Sequence, residues 1–463
     1  VRAENRPERV FLAAVDSDEA DALWRADDSL AELAALASTA GADVIGSLVQ
    51  RLRTPDRATY LGKGRAHELA QLCKTHNIDL IIVDDELAPS QQRNLEDLTE
   101  VRVIDRTALI LDIFAQHAHT REGQLQVELA QLEYRLPRLA GFGRALSRVG
   151  GGSRGSGGGG VAGAIGVRGP GETKLEIDRR RIRTRIAELR RELEAIRRQR
   201  TVHRRARSGT MPVVAVVGYT NAGKSTLFNA ITSAGVLVEN KLFATLDPTT
   251  RHITLPTHQE ILVTDTVGFI QKLPTSLVAA FRATLEEVVE ADLLLEVVDI
   301  THPNALEQSQ TVAAVLEELG AGDKPRVTAL NKIDLLPAGV EIDTADFPNA
   351  ELVSALTGEH VRELLTRVGD VLTSMMVPVR VRLPFERGDL LDTFHRRGRV
   401  VSERQEADGI TIEGLLPQSL RGMFAAYRLD GGARRRISQP DGHRQRDGQK
   451  TPAPSARSTA PRS

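Results

Sequence analysis

Cysteine is nearly absent from this chain of 463 residues, with Cys73 the single example. One thiol permits no intrachain disulfide and no cysteine cluster for a structural metal. The chain therefore suits a reducing, cytoplasmic environment, and Cys73 reads as a small core residue. Long hydrophobic runs are also missing. The longest, such as Leu80-Ile81-Ile82-Val83, are the size of a buried strand, and the charged N-terminal segment has no signal-peptide core, so no stable membrane insertion is expected. Aromatic residues make up only 3%, too few for a stacking platform that grips single-stranded nucleic acid. Net charge is nearly absent as well: 61 Lys+Arg against 62 Asp+Glu leave −1, which at first sight argues against a polyanion as partner. With 41% hydrophobic residues the chain can bury cores in roughly two to four domains, and a wholly disordered chain is excluded.

What is present is unevenly placed. Of the 38 glycines, 14 fall between Gly141 and Gly171, together with Arg144, Arg148, Arg154 and Arg168 and no acidic residue. Such a stretch is a flexible polycation without a core of its own, and taken alone it is a plain linker. Its flanks say otherwise. Leu125, Leu129, Leu132, Leu136 and Leu139 precede it, and Ile182, Ile186, Leu189, Leu193 and Ile196 follow it, both sets at helical spacings of four and three. Two such stripes predict two amphipathic helices paired along a narrow apolar seam, a coiled-coil hairpin with the glycine loop at its tip. The second helix carries 14 cations against six acids between Glu172 and Arg207, among them Lys174, Arg179, Arg180 and Arg181. Pairing with Glu188, Glu192 and Glu194 absorbs only part of that excess. The small net charge thus divides into +12 over residues 141–207, +6 in the tail from Gly431 and −19 elsewhere. An acidic body carries a cationic hairpin and tail.

The expected fold is α/β and multidomain. Residues 1–119 alternate strand-like runs (Val10 to Val15, Val44 to Val49, Leu80 to Val83, Val101 to Ile104) with amphipathic stretches and form a small α/β domain. No catalytic constellation appears there, and Gly62-Lys63-Gly64 reads as a turn that can touch a phosphate. The hairpin occupies 120–207 with its tip at 141–171. A nucleotide domain with a doubly wound, mostly parallel sheet follows over 208–375. Residues 376–430 form a small α+β domain, with a strand at Val379 to Leu383, a helix near Leu390, a strand pair around Val400 and Ile410 to Ile412, and a helix near Leu420. The tail, 431–463, is rich in Arg, Gln, Ser, Pro and Gly and is expected to be disordered.

The chemistry lies in the nucleotide domain. The short strand Val213 to Val217 runs into Gly218-Tyr219-Thr220-Asn221-Ala222-Gly223-Lys224-Ser225 and then a helix, a complete P-loop in its strand–loop–helix setting. Glycines let backbone N–H groups approach phosphates, Lys224 neutralises the β and γ oxygens, and the Ser225 hydroxyl ligates Mg²⁺. A second strand ends in Asp265-Thr266-Val267-Gly268, where the carboxylate can hold Mg²⁺ through water and the Gly268 N–H can meet the γ-phosphate. A further strand ends in Asn331-Lys332-Ile333-Asp334. A carboxylate at Asp334 accepts from both N1–H and the exocyclic amine of guanine, whereas adenine has no donor at N1, so GTP is preferred over ATP. A backbone N–H of Ser354-Ala355-Leu356 can meet the guanine O6. Four motifs in this order define a GTP-binding domain.

Here the chain resembles the translation-factor-related P-loop GTPases and, within them, the HflX family. Phe243-Ala244-Thr245-Leu246-Asp247-Pro248-Thr249-Thr250-Arg251 is similar to that family's switch I, and Asp265-Thr266-Val267-Gly268-Phe269-Ile270 to its switch II. The glycine-rich segment leading into Gly169-Pro170-Gly171-Glu172-Thr173-Lys174, and Gly62-Lys63-Gly64, match as well. The resemblance covers residues 7–430. It implies catalytic roles for Lys224, Thr245 and Gly268, with Thr245 as the switch I ligand to Mg²⁺ and the γ-phosphate, while Thr249 and Thr250 compete for that role in the same loop.

Phe269 stands where Ras-like enzymes carry the glutamine that orients the attacking water, so the unaided rate is expected to be slow. Asn221 occupies the P-loop position at which K⁺-activated GTPases carry asparagine, and it can ligate K⁺ or simply stabilise its own turn. The resemblance implies a partner in the large ribosomal subunit, met by the cationic hairpin, with the GTP-bound protein splitting stalled or idle ribosomes under stress. Arg144, Arg148, Arg154, Arg168, Lys174, Arg179, Arg180 and Arg181 are then the candidate contacts to ribosomal RNA, and the protein is expected to be monomeric when free. A large-subunit assembly GTPase, a nucleotide-driven RNA-remodelling enzyme and a regulatory G protein acting on protein partners are the competing readings.

Overall fold

The computed structural model describes residues 6–17, 25–149, 170–207, 211–232, 242–243, 248–272, 282–337, 339–340 and 342–429. In the first unit, four parallel strands, β1 (Arg9–Asp16), β2 (Asp43–Arg51), β3 (Leu80–Val83) and β4 (Arg102–Asp105), lie in the order β2-β1-β3-β4. The apolar run of β1 serves both faces because successive side chains alternate. Val10, Leu12 and Ala14 pack with helices α1 (Ala26–Thr39) and α4 (Arg106–His117). Phe11, Ala13 and Val15 pack on the other side with α2 (Lys63–His76) and α3 (Pro89–Thr99). Cys73 is buried in the second of these cores, and burial pushes its thiol up to about 11, which suits a packing role.

The hairpin is built from α5 (Arg121–Val149) and α6 (Pro170–Arg207). Leu125, Leu129, Leu132 and Leu136 interleave with Ile182, Ile186, Leu189, Leu193 and Ile196; Leu139, the tenth residue of the two stripes, stays outside this seam. Charges bind the shaft from outside: Arg185 to Glu128 at 2.8 Å, Arg190 to Glu133 at 2.7 Å and Arg121 to Glu192 at 3.0 Å. These pairs cross between helices, which the spacing of Glu188, Glu192 and Glu194 along α6 alone does not reveal. The helix also continues past Gly141, where the composition suggested the tip opens, as far as Val149. The remainder of the tip, 150–169, including Arg154 and Arg168, lies outside the described residues, as does the tail from 431.

The nucleotide domain has a six-stranded sheet in the order β10-β9-β8-β5-β7-β6, with β5 (Val213–Gly218), β6 (Thr249–Thr254), β7 (Glu260–Asp265), β8 (Leu293–Asp299), β9 (Arg326–Asn331) and β10 (Glu351–Leu352). Only β6 runs antiparallel. Helices α7 (Lys224–Thr232), α8 (Arg282–Glu290), α9 (Ala305–Glu318) and α10 (Val361–Ser374) cover the faces. Val214 and Val216 enter the core that includes α7 and α10. Ala215 and Val217 enter a core shared with α8, α9 and, without a break, with α1 and α4 of the first unit. The edge-to-face contact of Phe114 and Phe243, centroids 4.6 Å apart, is one of the joints.

The last unit is an antiparallel sheet in the order β11-β13-β12, from β11 (Val377–Leu383), β12 (Arg399–Glu406) and β13 (Gly409–Leu416), covered by α11 (Gly388–Arg397). The helix expected near Leu420 is instead a single 3₁₀ turn, Gln418–Leu420, followed by a second at Ala425–Tyr427. Pro417 and Gly422 bracket too little chain for a helix to propagate.

Candidate nucleotide site

β5 emerges between β7 and β8, where the chain's crossovers turn from one side of the sheet to the other. The carboxyl ends of parallel strands leave a crevice at such a point. Residues 218–225 bend from β5 into α7 there, with Asn221 and Gly223 in left-handed conformations, φ 61° and 96°. A Cβ at Gly223 would stand 2.2 Å from Asn331 Nδ2, so glycine is required by backbone and space together.

Lys224 opens α7, and its ammonium, which is buried, donates to the Tyr219 carbonyl at 2.7 Å. It also lies against Gly268, where a Cβ would come within 2.7 Å of Nζ. Burial pushes this ammonium down to about 8, with Asp265 opposing the shift. A phosphate dianion at the helix N-terminus would restore its charge. The Ser225 hydroxyl donates to Asp265 Oδ2 at 2.8 Å, and Thr266 Oγ1 donates to the Val216 carbonyl at 2.6 Å. A hydroxyl and a carboxylate set side by side are hard oxygen donors of the kind Mg²⁺ takes. Among the described residues no group of three or more His, Cys, Asp or Glu could hold a metal.

Switch II is joined to the P-loop by a short ladder: Thr220 N–H donates to the Phe269 carbonyl at 2.7 Å, and Phe269 N–H donates to the Gly218 carbonyl at 3.1 Å. The Phe269 ring is buried in the core shared with the first unit. A buried phenyl cannot orient a water. Of switch I, Ala244, Thr245, Leu246 and Asp247 lie outside the described residues. Thr249 and Thr250 belong to β6, and Thr250 Oγ1 is engaged with Thr264 Oγ1 at 2.9 Å. The ring of Phe243 is buried against Phe114, so at most its backbone reaches toward nucleotide. Tyr219 likewise sends its side chain into the first unit, where its hydroxyl donates to Glu32.

On the base side, Asn331 is a buried bridge. Its Nδ2 donates to the Ala222 carbonyl at 2.8 Å and its Oδ1 accepts from Ala355 N–H at 2.9 Å, tying the P-loop to the Ser354 loop. Lys332 has φ 71° and its ammonium meets Asp299 at 2.6 Å, a partner the motif did not announce. Ile333 N–H donates to the Val353 carbonyl at 3.4 Å. Asp334 is exposed, and Ser354 Oγ donates to its Oδ1 at 2.6 Å. The Ser354 N–H goes to the Glu359 carbonyl and that of Ala355 to Asn331, so the N–H of exposed Leu356 is the donor left for a base carbonyl.

Of the candidate RNA contacts, Arg144, Arg148 and Lys174 lie on the two hairpin helices near the tip, Arg179 is half-buried, and Arg180 and Arg181 are exposed. Sequence reasoning missed Glu32, Asp84, Arg106 and Lys272, which meet behind the P-loop. The pair Asp84-Asp85 directly after the apolar run of β3 was the available signal, since a strand end is where a sheet presents functional groups.

A doubly wound sheet with this P-loop, the Ser225–Asp265 pair beside it and the Asn331–Asp334 turn at the neighbouring strand end is the arrangement of a P-loop GTPase. Family models described as GTP-binding GTPase N-terminal, GTP-binding GTPase Middle Region and 50S ribosome-binding GTPase match residues 27–115, 117–207 and 213–332. GTPase HflX of Caldanaerobacter subterraneus subsp. tengcongensis is 47% identical over 410 residues, 88% of this chain and 90% of that protein. GTPase HflX of Escherichia coli K12 is 42% identical over 395 residues, 84% of this chain and 90% of that protein. A solved structure of a GTP-binding protein from Sulfolobus solfataricus in complex with GDP aligns with 79% of this chain and 99% of that one, at 24% identity and a TM-score of 0.40. The chain belongs to the HflX family, and it converts GTP and water to GDP and phosphate. No helix of the described residues is long and apolar enough to cross a membrane.

Proposed function

We propose that this GTPase binds the large ribosomal subunit through its basic hairpin and, with GTP bound, dissociates stalled or idle ribosomes into subunits, hydrolysis permitting release. The observation that carries the reading is the hairpin: two long helices locked by an apolar seam and cross-helix ion pairs and joined in sequence by the cationic glycine segment. A stiff shaft with a glycine–arginine tip suits a crowded, phosphate-lined cavity, binding backbone more than base edges. Its occupation would be incompatible with subunit joining. The description of the matching family model, a 50S ribosome-binding GTPase, supports the same partner.

At the nucleotide, the α7 N-terminus and Lys224 hold the phosphates. Ser225 and Thr245 would hold Mg²⁺, with Asp265 acting through water, and the ion would supply charge neutralisation to the phosphates. Gly268 N–H meets the γ-phosphate, and Asp334 with Leu356 N–H reads guanine. Because Phe269 is buried, the water is oriented by another group, which a large partner ordering the switches can bring. Exposed Asn221 would hold a monovalent cation, which would supply positive charge beside the phosphates. Replacing K⁺ by Na⁺ is therefore expected to lower turnover several-fold, and equal rates in the two salts would remove the cation from the mechanism.

Sedimentation of intact ribosomes through sucrose with this protein tests the proposal. Conversion to free subunits with GTP and equally with a non-hydrolysable analogue is expected, since binding does the splitting. Ribosomes that stay whole, with the protein found only on assembly precursors, would favour the assembly reading instead.

A further inference from the structure

Behind the P-loop, five side chains from five separate stretches of chain form a closed circuit. The Tyr219 hydroxyl donates to Glu32 on α1, and Glu32 accepts from Arg106, the first residue of α4. Arg106 Nη1 donates to Asp84 at 2.7 Å, just beyond β3, and Asp84 accepts from the Lys272 ammonium at 2.5 Å. Lys272 also meets Asp85 at 2.6 Å, and Ser29 Oγ donates to Asp84 at 2.7 Å. Lys272 follows Gln271, whose backbone N–H donates to the Tyr219 hydroxyl at 2.8 Å, and this closes the ring. Arg106, Asp84 and Tyr219 are almost fully buried, at 1%, 1% and 3% exposed.

Tyr219 is therefore fixed at both its carbonyl and its hydroxyl. Its carbonyl takes the Lys224 ammonium, its hydroxyl takes the switch II backbone at Gln271, and the same hydroxyl is held by the first unit through Glu32. A ring of buried charges is a poor adhesive, because desolvation cancels most of the Coulomb attraction, and apolar side chains such as Phe114 and Phe243 join the two units more cheaply. What such a ring does well is fix one geometry, since every member must keep its partners. Burial works against the Asp84 carboxylate, yet Arg106 and Lys272 outweigh it and hold its pKa below the usual range, whereas burial pushes Glu32 up in spite of Arg106 and Tyr219 beside it.

We propose that Tyr219 is a positioning residue for GTP hydrolysis, and that the ring Tyr219–Glu32–Arg106–Asp84–Lys272 lets the N-terminal domain set where switch II stands over the P-loop. Gly268, three residues before Gln271, is the group that meets the γ-phosphate. Releasing the Gln271 end of this segment loosens the aim of the Gly268 N–H, and a displacement of about 1 Å at such a site costs up to ~100-fold in rate. The ring adds no group to the reaction; it reduces the freedom of one that is already there.

The test is steady-state GTP hydrolysis by the full chain without ribosomes, with rates normalised to nucleotide-binding sites titrated by a fluorescent GDP. Tyr219→Phe keeps the packing and removes only the hydroxyl. It is expected to lower kcat on the order of tenfold with KM within about twofold. Glu32→Gln and Lys272→Met are expected to do the same. Glu32 and Lys272 do not bond to each other, so independent effects would multiply. The ring requires instead that the double variant be no slower than the slower single. An unchanged kcat in Tyr219→Phe, a loss confined to KM, or multiplicative effects in the double variant would overturn the proposal. If Glu32→Gln does not fold, Tyr219→Phe with Lys272→Met forms the same cycle. A merely structural ring would lower the melting temperature and leave kcat per site unmoved. The measurement needs no ribosome, so its outcome is separate from the fate of the splitting hypothesis.

Discussion

Asp334→Asn is expected to lower the affinity for GTP by a hundredfold or more and to make xanthosine triphosphate the better ligand. The exposed carboxylate sits on the 3₁₀ turn Ile333–Leu335, held by the left-handed Lys332 before it and by Ser354 Oγ on Oδ1. Its second oxygen is thus presented to a base in one fixed direction. Guanine offers two donors there, N1–H and the amine. An asparagine would keep Oδ1 for Ser354 but aim an amide N–H at those donors, replacing two charge-assisted bonds of about 1.5–3 kcal/mol each by a donor–donor conflict. Xanthine carries a carbonyl in place of the amine and accepts from the same amide. Competition of GTP, XTP and ATP against a fluorescent nucleotide reads the switch directly. Unchanged GTP affinity would take Asp334 out of the base site, and equal competition by ATP in the unaltered protein would favour an RNA-remodelling enzyme.

Deleting Gly150 to Gly160 is expected to leave intrinsic GTP hydrolysis within about twofold and to abolish ribosome splitting. The seam and the cross-helix ion pairs all lie between residues 121 and 196, and the nucleotide site begins at 218, so neither loses a contact. The nine residues 161–169 remain to close the hairpin, just above the usual length of about 2–8 for joining antiparallel helices. The deletion removes Arg154 as its only charge, so electrostatic attraction to RNA falls by about one phosphate contact. What is lost is eleven residues of glycine-rich chain between the two helices. Ribosomes that still split with this variant would count decisively against the role assigned to the hairpin.

The nucleotide site was legible because its motifs encode backbone geometry: a glycine that must adopt φ 96°, a helix that must begin at Lys224, a carboxylate that must end a turn. The parallel strands were legible as short apolar runs because both faces of such sheets are covered. β6 was not, since Thr249–Thr254 is an edge strand with exposed threonines and no apolar signature. Nor was the destination of Tyr219 and Phe243. Both stand within nucleotide-binding motifs, yet their side chains turn into the first unit, a tertiary contact across 187 residues in the case of Tyr219 and Glu32. Local pattern carries no record of which distant surface a side chain meets. The same holds for the hairpin, where the stripes announced the seam but not the glutamates of α5 that neutralise part of α6.

That hairpin is rooted in two places. More than half-way from its start toward Val149, α5 is tied to the first unit by Arg138, whose guanidinium reaches Asp105 at 3.0 Å and lies over the Tyr134 ring. On the other side, α6 is tied to the nucleotide domain by Arg197 and Glu286 of α8 at 3.3 Å. From Arg197 to the start of α6 the helix extends about 40 Å at 1.5 Å per residue. A relative rotation of the two roots by about 5° would therefore carry the tip roughly 3–4 Å, the size of a hydrogen bond made or broken. The shaft is a lever arm, and a small adjustment between the domains flanking the nucleotide arrives at its far end enlarged to the scale of molecular contacts.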